Sequence, residues 1–211
     1  ILNIFQMKHI KLLVDDKSSW MTPYAIEITK KLVKNGFEAK FISSHEEIGT
    51  GWCLFLLSCT KKINNLNNFK HNIVIHASAL PKGKGWSPLT WQILEGKNNI
   101  PLTLFEANEK IDDGDIYLTD VLELNGGELI KEIRRKLSIK LESLIFDFLN
   151  NKNLKSYKQE GETTMYLRRN HNDSCLDFQK SISEQFNLLR VCDNDKYPAF
   201  FFHNNKKYIL K

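Results

Sequence analysis

Apolar and polar positions change their spacing several times along the chain, and each change marks an element. Lys8 to Val14 (KHIKLLV) is a short apolar run followed by the polar stretch Asp15 to Ser19, the pattern of a buried first strand. A helix follows. Thr22 is a good N-cap, Pro23 suits the first helical position, and Ala25, Ile28, Leu32 and Val33 line one face until Gly36 ends it. Phe37 to Ile42 alternates as a second strand, Cys53 to Leu57 is an apolar third, and Asn72 to His76 (NIVIH) is a fourth. A helix over Ser87 to Leu94 and a strand from Leu102 to Glu106 continue the series. Leu129, Ile130, Ile133, Leu137, Leu141, Leu144, Ile145 and Phe148 then recur at helical spacing, the strongest periodic signal in the chain.

Strands alternating with helices imply right-handed crossovers and an α/β, Rossmann-like, mostly parallel sheet flanked by helices. Ligands of such sheets bind at the carboxyl ends of the strands. Asn151, Lys152 and Asn153 read as a connector, and the character of the chain changes after them to short strands around one helix. The expected organisation is a catalytic core over residues 7–150 and a small C-terminal α+β extension over 151–211, packed on the core.

Composition narrows the class. With 42% hydrophobic and 26% charged residues, the 211-residue chain reads as globular, and no run approaches the ~18 apolar residues of a membrane helix. Ile1 to Gln6 is too short for a signal peptide, so Met7 reads as the natural start. Cysteines 53, 59, 175 and 192 show neither CxxC pairs nor zinc spacing, which suggests reduced thiols, a cytoplasmic protein and no metal. The net charge of +5 is dispersed, which suits an anionic small molecule and argues against a nucleic-acid partner or a membrane surface. Neither GxGxxG nor GxxxxGK[ST] occurs, so a dinucleotide enzyme or a P-loop NTPase is not expected.

The chemistry concentrates in two segments, HASALPKGKGWSPLTWQILEG from His76 and TLFEANEKIDDGDI from Thr103. The first puts a histidine at the end of a buried strand, before a loop rich in glycine and proline. The second puts Asp112 beside Gly114 in a tight turn between two strands. A histidine and an aspartate converging from neighbouring strand ends form a general acid/base pair, the carboxylate orienting the imidazole. Taken singly, His76 also fits a satisfied buried histidine, and Asp112 a turn residue bonding its own backbone.

At these residues the sequence resembles the formyltransferase family that includes methionyl-tRNA formyltransferase, glycinamide ribonucleotide formyltransferase and the sugar N-formyltransferases. The family pattern runs approximately N-x-H-x-S-L-L-P, K-x-x-G-x-x-P, W-x-I-x-x-G, then E-x-x-x-x-L-D-x-G-D-I. Here His76, Ser78, Leu80, Pro81, Lys82, Gly85, Pro88, Trp91, Ile93, Gly96, Glu106, Asp112, Gly114, Asp115 and Ile116 fall into register without a gap. The likeness continues through Gln159 to Thr163 (QEGET), Arg168, Asp177, Phe178 and LRVCDNDKYPAF from Leu189.

The resemblance implies N10-formyltetrahydrofolate as donor and His76 and Asp112 as catalytic residues. It also implies that the pterin lies against main chain from Cys59, Thr60, Lys61 and Ile63 and from Asn108, Glu109, Lys110 and Ile111 to Asp112. One position departs from the pattern: the family's catalytic asparagine, two residues before the histidine, is Val74 here, which donates no hydrogen bond. A missing oxyanion donor can cost ~10²–10³ in rate. The candidates to replace it are a backbone N–H, Ser78 or Lys82, and a relative that binds without turnover is the alternative.

The acceptor is the family's variable part. Methionyl-tRNA formyltransferases carry a further RNA-binding domain after the core, whereas this chain ends at Lys211 with scattered basic charge. The QEGET and YPAFF stretches set it apart from the glycinamide ribonucleotide branch. The DNDKYPAFF stretch and the PKGKGWSP loop most resemble enzymes that formylate a nucleotide-linked 4-amino-4,6-dideoxy sugar, as in nonulosonic acid synthesis, and this resemblance implies such a sugar as acceptor. Lys82, Lys84 and Arg168 would neutralise its diphosphate, Trp86 or Tyr197 would stack on sugar or base, and Ser78 would line the site. Phe200, Phe201, Phe202 and Tyr208 offer the tail another role, as the interface of a homodimer.

Overall fold

A computed structural model describes residues 9–63 and 65–211. Lys8 and the expected start at Met7 lie outside the described residues. The first strand, β1, is His9–Leu13, followed by helix α1, Thr22–Lys34. Strands β2 (Glu38–Ile42), β3 (Gly51–Leu56) and β4 (Phe69–His76) come next, then the short β5 (Lys84–Gly85) and helix α2 (Pro88–Leu94). Strands β6 (Asn99–Glu106) and β7 (Ile116–Glu123) lead to the 21-residue helix α3, Ile130–Asn150. The remainder carries β8 (Met165–Tyr166), helix α4 (Phe186–Arg190), β9 (Phe200–His203) and β10 (Lys206–Ile209).

The main sheet has the order β2-β1-β3-β4-β6-β7. Strand β1 pairs parallel with both β2 and β3, and β3 with β4, while β4 and β6 run antiparallel. The sheet is thus mostly parallel and Rossmann-like, with small strands at the C-terminal end of the chain. Strand order reverses between β2-β1 and β1-β3, the kind of switch point beside which such sheets open a crevice at their carboxyl ends.

The chain divides into two compact units that interleave in sequence. One holds the described residues up to His76 with Thr103–Leu118 and Leu141–Gln159; the other holds Ala77–Leu102, Thr119–Lys140 and Glu160–Lys211. In the first, Leu12, Leu13, Leu54, Phe55 and Ile73 are fully buried, and Phe148 of α3 packs edge-on against Phe55. In the second, Ile93, Ile100, Leu102 and Ile133 are fully buried.

Two details of the helices differ from the sequence reading. Thr22 is the first residue of α1 and not its cap: its hydroxyl donates to the Asp16 carbonyl, and Met21, at the cap position, makes no side-chain cap bond. The buried face of α1 is Ala25, Ile28, Thr29 and Leu32, whereas Val33 is half exposed, because it sits one residue, or ~100°, off that stripe. Leu129 likewise precedes α3 and is half exposed.

Candidate functional site

Strand β4 sets the histidine. Its side chains alternate, so Asn72, Val74 and His76 share one face. His76 is the last residue of the strand, pairs in register with Thr103 of β6, and is almost fully buried. Asp112 arrives from the turn between β6 and β7, and its Oδ2 lies 3.8 Å from His76 Nε2, both side chains being largely shielded from water. That separation is longer than a hydrogen bond but within ion-pair range, and a ligand-free acid/base pair commonly tightens only around its substrates. The arrangement lets the carboxylate orient the ring.

The turn is shaped by its backbone. Asp112 adopts φ +50°, in the left-handed region that costs a residue with a Cβ on the order of 1 kcal/mol. A Cβ added at Gly114 would overlap the Glu106 carbonyl, so only glycine fits there. The Glu106 N–H donates to the Asp115 carbonyl, closing the loop at its base. Gln159 donates to the carbonyls of both Asp112 and Gly114.

Val74 packs at the edge of an apolar cluster built on Leu13, Leu54, Leu56, Ile63 and Phe69, which Cys59 and Ala107 also touch. Cys59 and Ile63 of the first segment expected to hold a pterin thus belong to this cluster, and Ala107 brings the residue just before the second segment against it. Ile63 is a core side chain, and Asn108 to Ile111 are exposed. The Asn108 side chain caps its own loop by accepting from Lys110 N–H, and Lys110 approaches Asp113. The Cys59 thiol is pushed up to about 12, by burial first and then by the negative Asp15, so it remains protonated and is no nucleophile.

Asp15, directly after β1, was missed by the sequence reading. Its carboxylate is 1% exposed and accepts the main-chain N–H groups of Thr60 and Lys61 at 2.8–2.9 Å, with His45 Nε2 at 3.4 Å. It ties the loop after β3 to the end of β1. Glu106 does similar work on the other flank, accepting from Asn72 N–H and from the Tyr117 hydroxyl, whose pKa burial and the Glu106 charge raise to about 12. Position was the one signal for Asp15, an acid at the carboxyl end of a strand by the switch point.

The expected acceptor-binding residues belong to the second compact unit. Arg168 lies over the exposed Trp86 ring at 4.7 Å, so these two come together, and Lys82 is exposed. Ser78 is buried, and Tyr197 is half buried against His171. Lys84, expected to neutralise a diphosphate, is instead shielded from solvent. It is 5% exposed, because its strand β5 is paired with β8 some eighty residues on.

Fold and site together describe a mostly parallel α/β protein in which a histidine at a strand end faces an aspartate from a neighbouring turn. Residues 57–146 match the family model described as formyl transferase, which supports a place for the chain among the folate-dependent formyltransferases. A methionyl-tRNA formyltransferase of Clostridium novyi is 30% identical over 139 residues, covering 64% of this chain and 44% of its own length. The chain thus spans less than half of that curated relative. Among solved structures, the methionyl-tRNA formyltransferase from Clostridium thermocellum has a TM-score of 0.80 at 22% identity, covering 95% of this chain and 90% of that one. WlaRD, a sugar 3N-formyl transferase, has a TM-score of 0.70 at 20% identity, covering 95% and 84%. At such identities the two structures show the shared fold.

Proposed function

We propose that this protein is an N-formyltransferase that moves a formyl group from N10-formyltetrahydrofolate to the amine of a nucleotide-linked amino sugar. The observation that carries the chemistry is the His76–Asp112 pair, shielded from water at the end of β4 and 3.8 Å apart. A neutral amine attacks the formyl carbon and forms a C–N bond. His76 stabilises the oxyanion of the tetrahedral intermediate and helps move protons. Asp112 orients His76 and, through water, relays the proton lost by the amine to the folate N10, which leaves as tetrahydrofolate. The net change balances, formyl exchanged for one proton.

The donor's pterin rests between the loop from Cys59 to Ile63 and the loop from Asn108 to Asp112. Because Asp15 takes the N–H groups of Thr60 and Lys61, these two residues offer the pterin their carbonyls. Support for a folate donor comes from the family, and WlaRD was solved in the presence of dTDP and 5-N-formyl-THF. For the acceptor, the Trp86–Arg168 pair presents a flat face and a cation, with Lys82 as a second cation for the diphosphate. Tyr197 is the other stacking candidate. Lys84 and Ser78, being buried, act on the acceptor through the shape of the PKGKG loop. The exposed Phe178 and Tyr208, which flank Phe201 on one side of the β9–β10 hairpin, offer a face through which two copies pair.

A second reading, an aminoacyl-tRNA acceptor, is favoured by the 30% identity to the Clostridium novyi enzyme. The test is an assay with N10-formyltetrahydrofolate and a panel of nucleotide-linked 3- and 4-amino sugars alongside methionyl-tRNA, following tetrahydrofolate by absorbance and product by mass. Formylated 4-amino sugar is the expected result. Product from methionyl-tRNA alone would replace the sugar reading, and folate binding without any product would point to a binding-only relative.

A further inference from the structure

We infer that Gln159 is the positioning residue for Asp112, so that the segment downstream of α3 completes the turn that carries Asp112; the consequence for turnover rests on the formyl-transfer reading above. Two hydrogen bonds carry it. The Gln159 Nε2 donates to the Asp112 carbonyl at 3.0 Å and to the Gly114 carbonyl at 2.9 Å. One planar amide group thereby fixes two carbonyls on either side of Asp113, and with them the direction in which the Asp112 side chain leaves the main chain.

The turn requires such a hold. Asp112 is in the left-handed region, and Gly114 has no side chain to pack. On its Gly114–Asp115 side the loop borders a cavity of about 290 Å³, lined also by Glu106, Asn108, Tyr117 and Ser156. Gln159 is itself anchored two residues earlier, where Tyr157 and Ile116 exchange both main-chain hydrogen bonds at 2.8 and 2.9 Å. The clamp thus runs from the first residue of β7, through Tyr157, to the amide of Gln159 and back to the turn.

The chemistry of the side chain is specific. An amide supplies two N–H donors in a fixed fork. A carboxylate of the same size supplies none and would face two carbonyl oxygens, and an asparagine is one methylene short. Gln159 lies outside residues 57–146, which match the family model, and 47 residues from Asp112, so the turn depends on a segment beyond the matched region. A displacement of a reacting group by ~1 Å can cost on the order of 10²-fold in rate.

The test compares Gln159→Glu, which keeps length and packing, with Gln159→Ala and Asp112→Asn. In the ligand-free proteins the ring signals of His76 are followed by NMR alongside the thermal midpoint; kcat and KM are then measured with N10-formyltetrahydrofolate. Expected are folded Gln159 variants whose His76 ring signals move in the same direction as in Asp112→Asn. Their kcat should fall roughly ten- to hundredfold, with KM for the folate changed less than threefold. Wild-type His76 signals in Gln159→Glu would overturn the inference, since a packing role survives that change and a donating role does not. If wild type shows no formyl transfer, the function fails, and the ring signals still decide the role of Gln159.

Discussion

Around His76 the protein fixes its polar groups with main chain: a strand end, a left-handed turn residue, a glycine without room for a Cβ, and amides aimed at carbonyls. Around Arg190, in the other compact unit, it fixes them with charge. Arg190 is 1% exposed and donates to Asn98 Oδ1 at 2.8 Å, with Glu128 at 3.5 Å. Glu128 also pairs with Lys136, and Asp193 pairs with Arg134 at 2.7 Å. A backbone-built site is held in shape by geometry. A charge-built core locks its groups in one ionisation state, which suits a scaffold and not a catalyst.

The contrast can be broken most forcefully at Gly114. Gly114→Ala drives a methyl group into the Glu106 carbonyl, so the turn must reorganise. The expected outcome is loss of measurable turnover and a stability loss of at least about 3 kcal/mol in urea unfolding. Full activity in this variant would show that the turn is not what holds Asp112.

In the other unit, Glu128→Ala leaves Arg190 buried with less compensating charge and should lower stability by about 3 kcal/mol at pH 7. The pH dependence has a definite sign. Burial raises the Glu128 pKa, but Lys136 and the Asn125 N–H outweigh it and bring the carboxyl to about 2 from an ordinary 4.5. A carboxyl with a lowered folded-state pKa stabilises above its unfolded value, and that stability is lost as pH falls from about 4.5 towards 2. Urea unfolding across this range should therefore show a slope that the Glu128→Ala protein lacks. Equal slopes would remove Glu128 from the acid response.

The smallest expected effect is at Val74. Val74→Asn puts an amide at the edge of the apolar cluster that also touches Cys59, at a cost of about 1 kcal/mol in stability. It also restores the hydrogen-bond donor of the family pattern, so turnover should hold or rise within about threefold. A severe loss of rate would mean that the strand end is built around the apolar side chain and takes its oxyanion donor from elsewhere.

The two regions also differ in how far the sequence disclosed them. Short apolar runs such as KHIKLLV and NIVIH locate strands because burial on both faces leaves no other pattern, and the glycine beside Asp112 marks a turn on its own. The positions of His76 at a strand end and of Asp112 in a turn were legible for that reason. Asp15 and Gln159 were not: each acts through hydrogen bonds to main chain about 45 residues away, and no local spacing encodes that partner. Lys84 misled for the same reason, since its burial depends on β8. The Glu128–Arg190 network is likewise a long-range pairing of residues that, one by one, look like surface charges.

In the proposed reaction His76 and Asp112 carry the chemistry while the folate is held by other groups. Turnover and N10-formyltetrahydrofolate binding measured side by side for wild type, His76→Ala and Asp112→Ala test this directly. The account predicts that each substitution lowers turnover by at least ~10²-fold with folate affinity within about threefold and the fold intact. Wild-type turnover in either variant would contradict it.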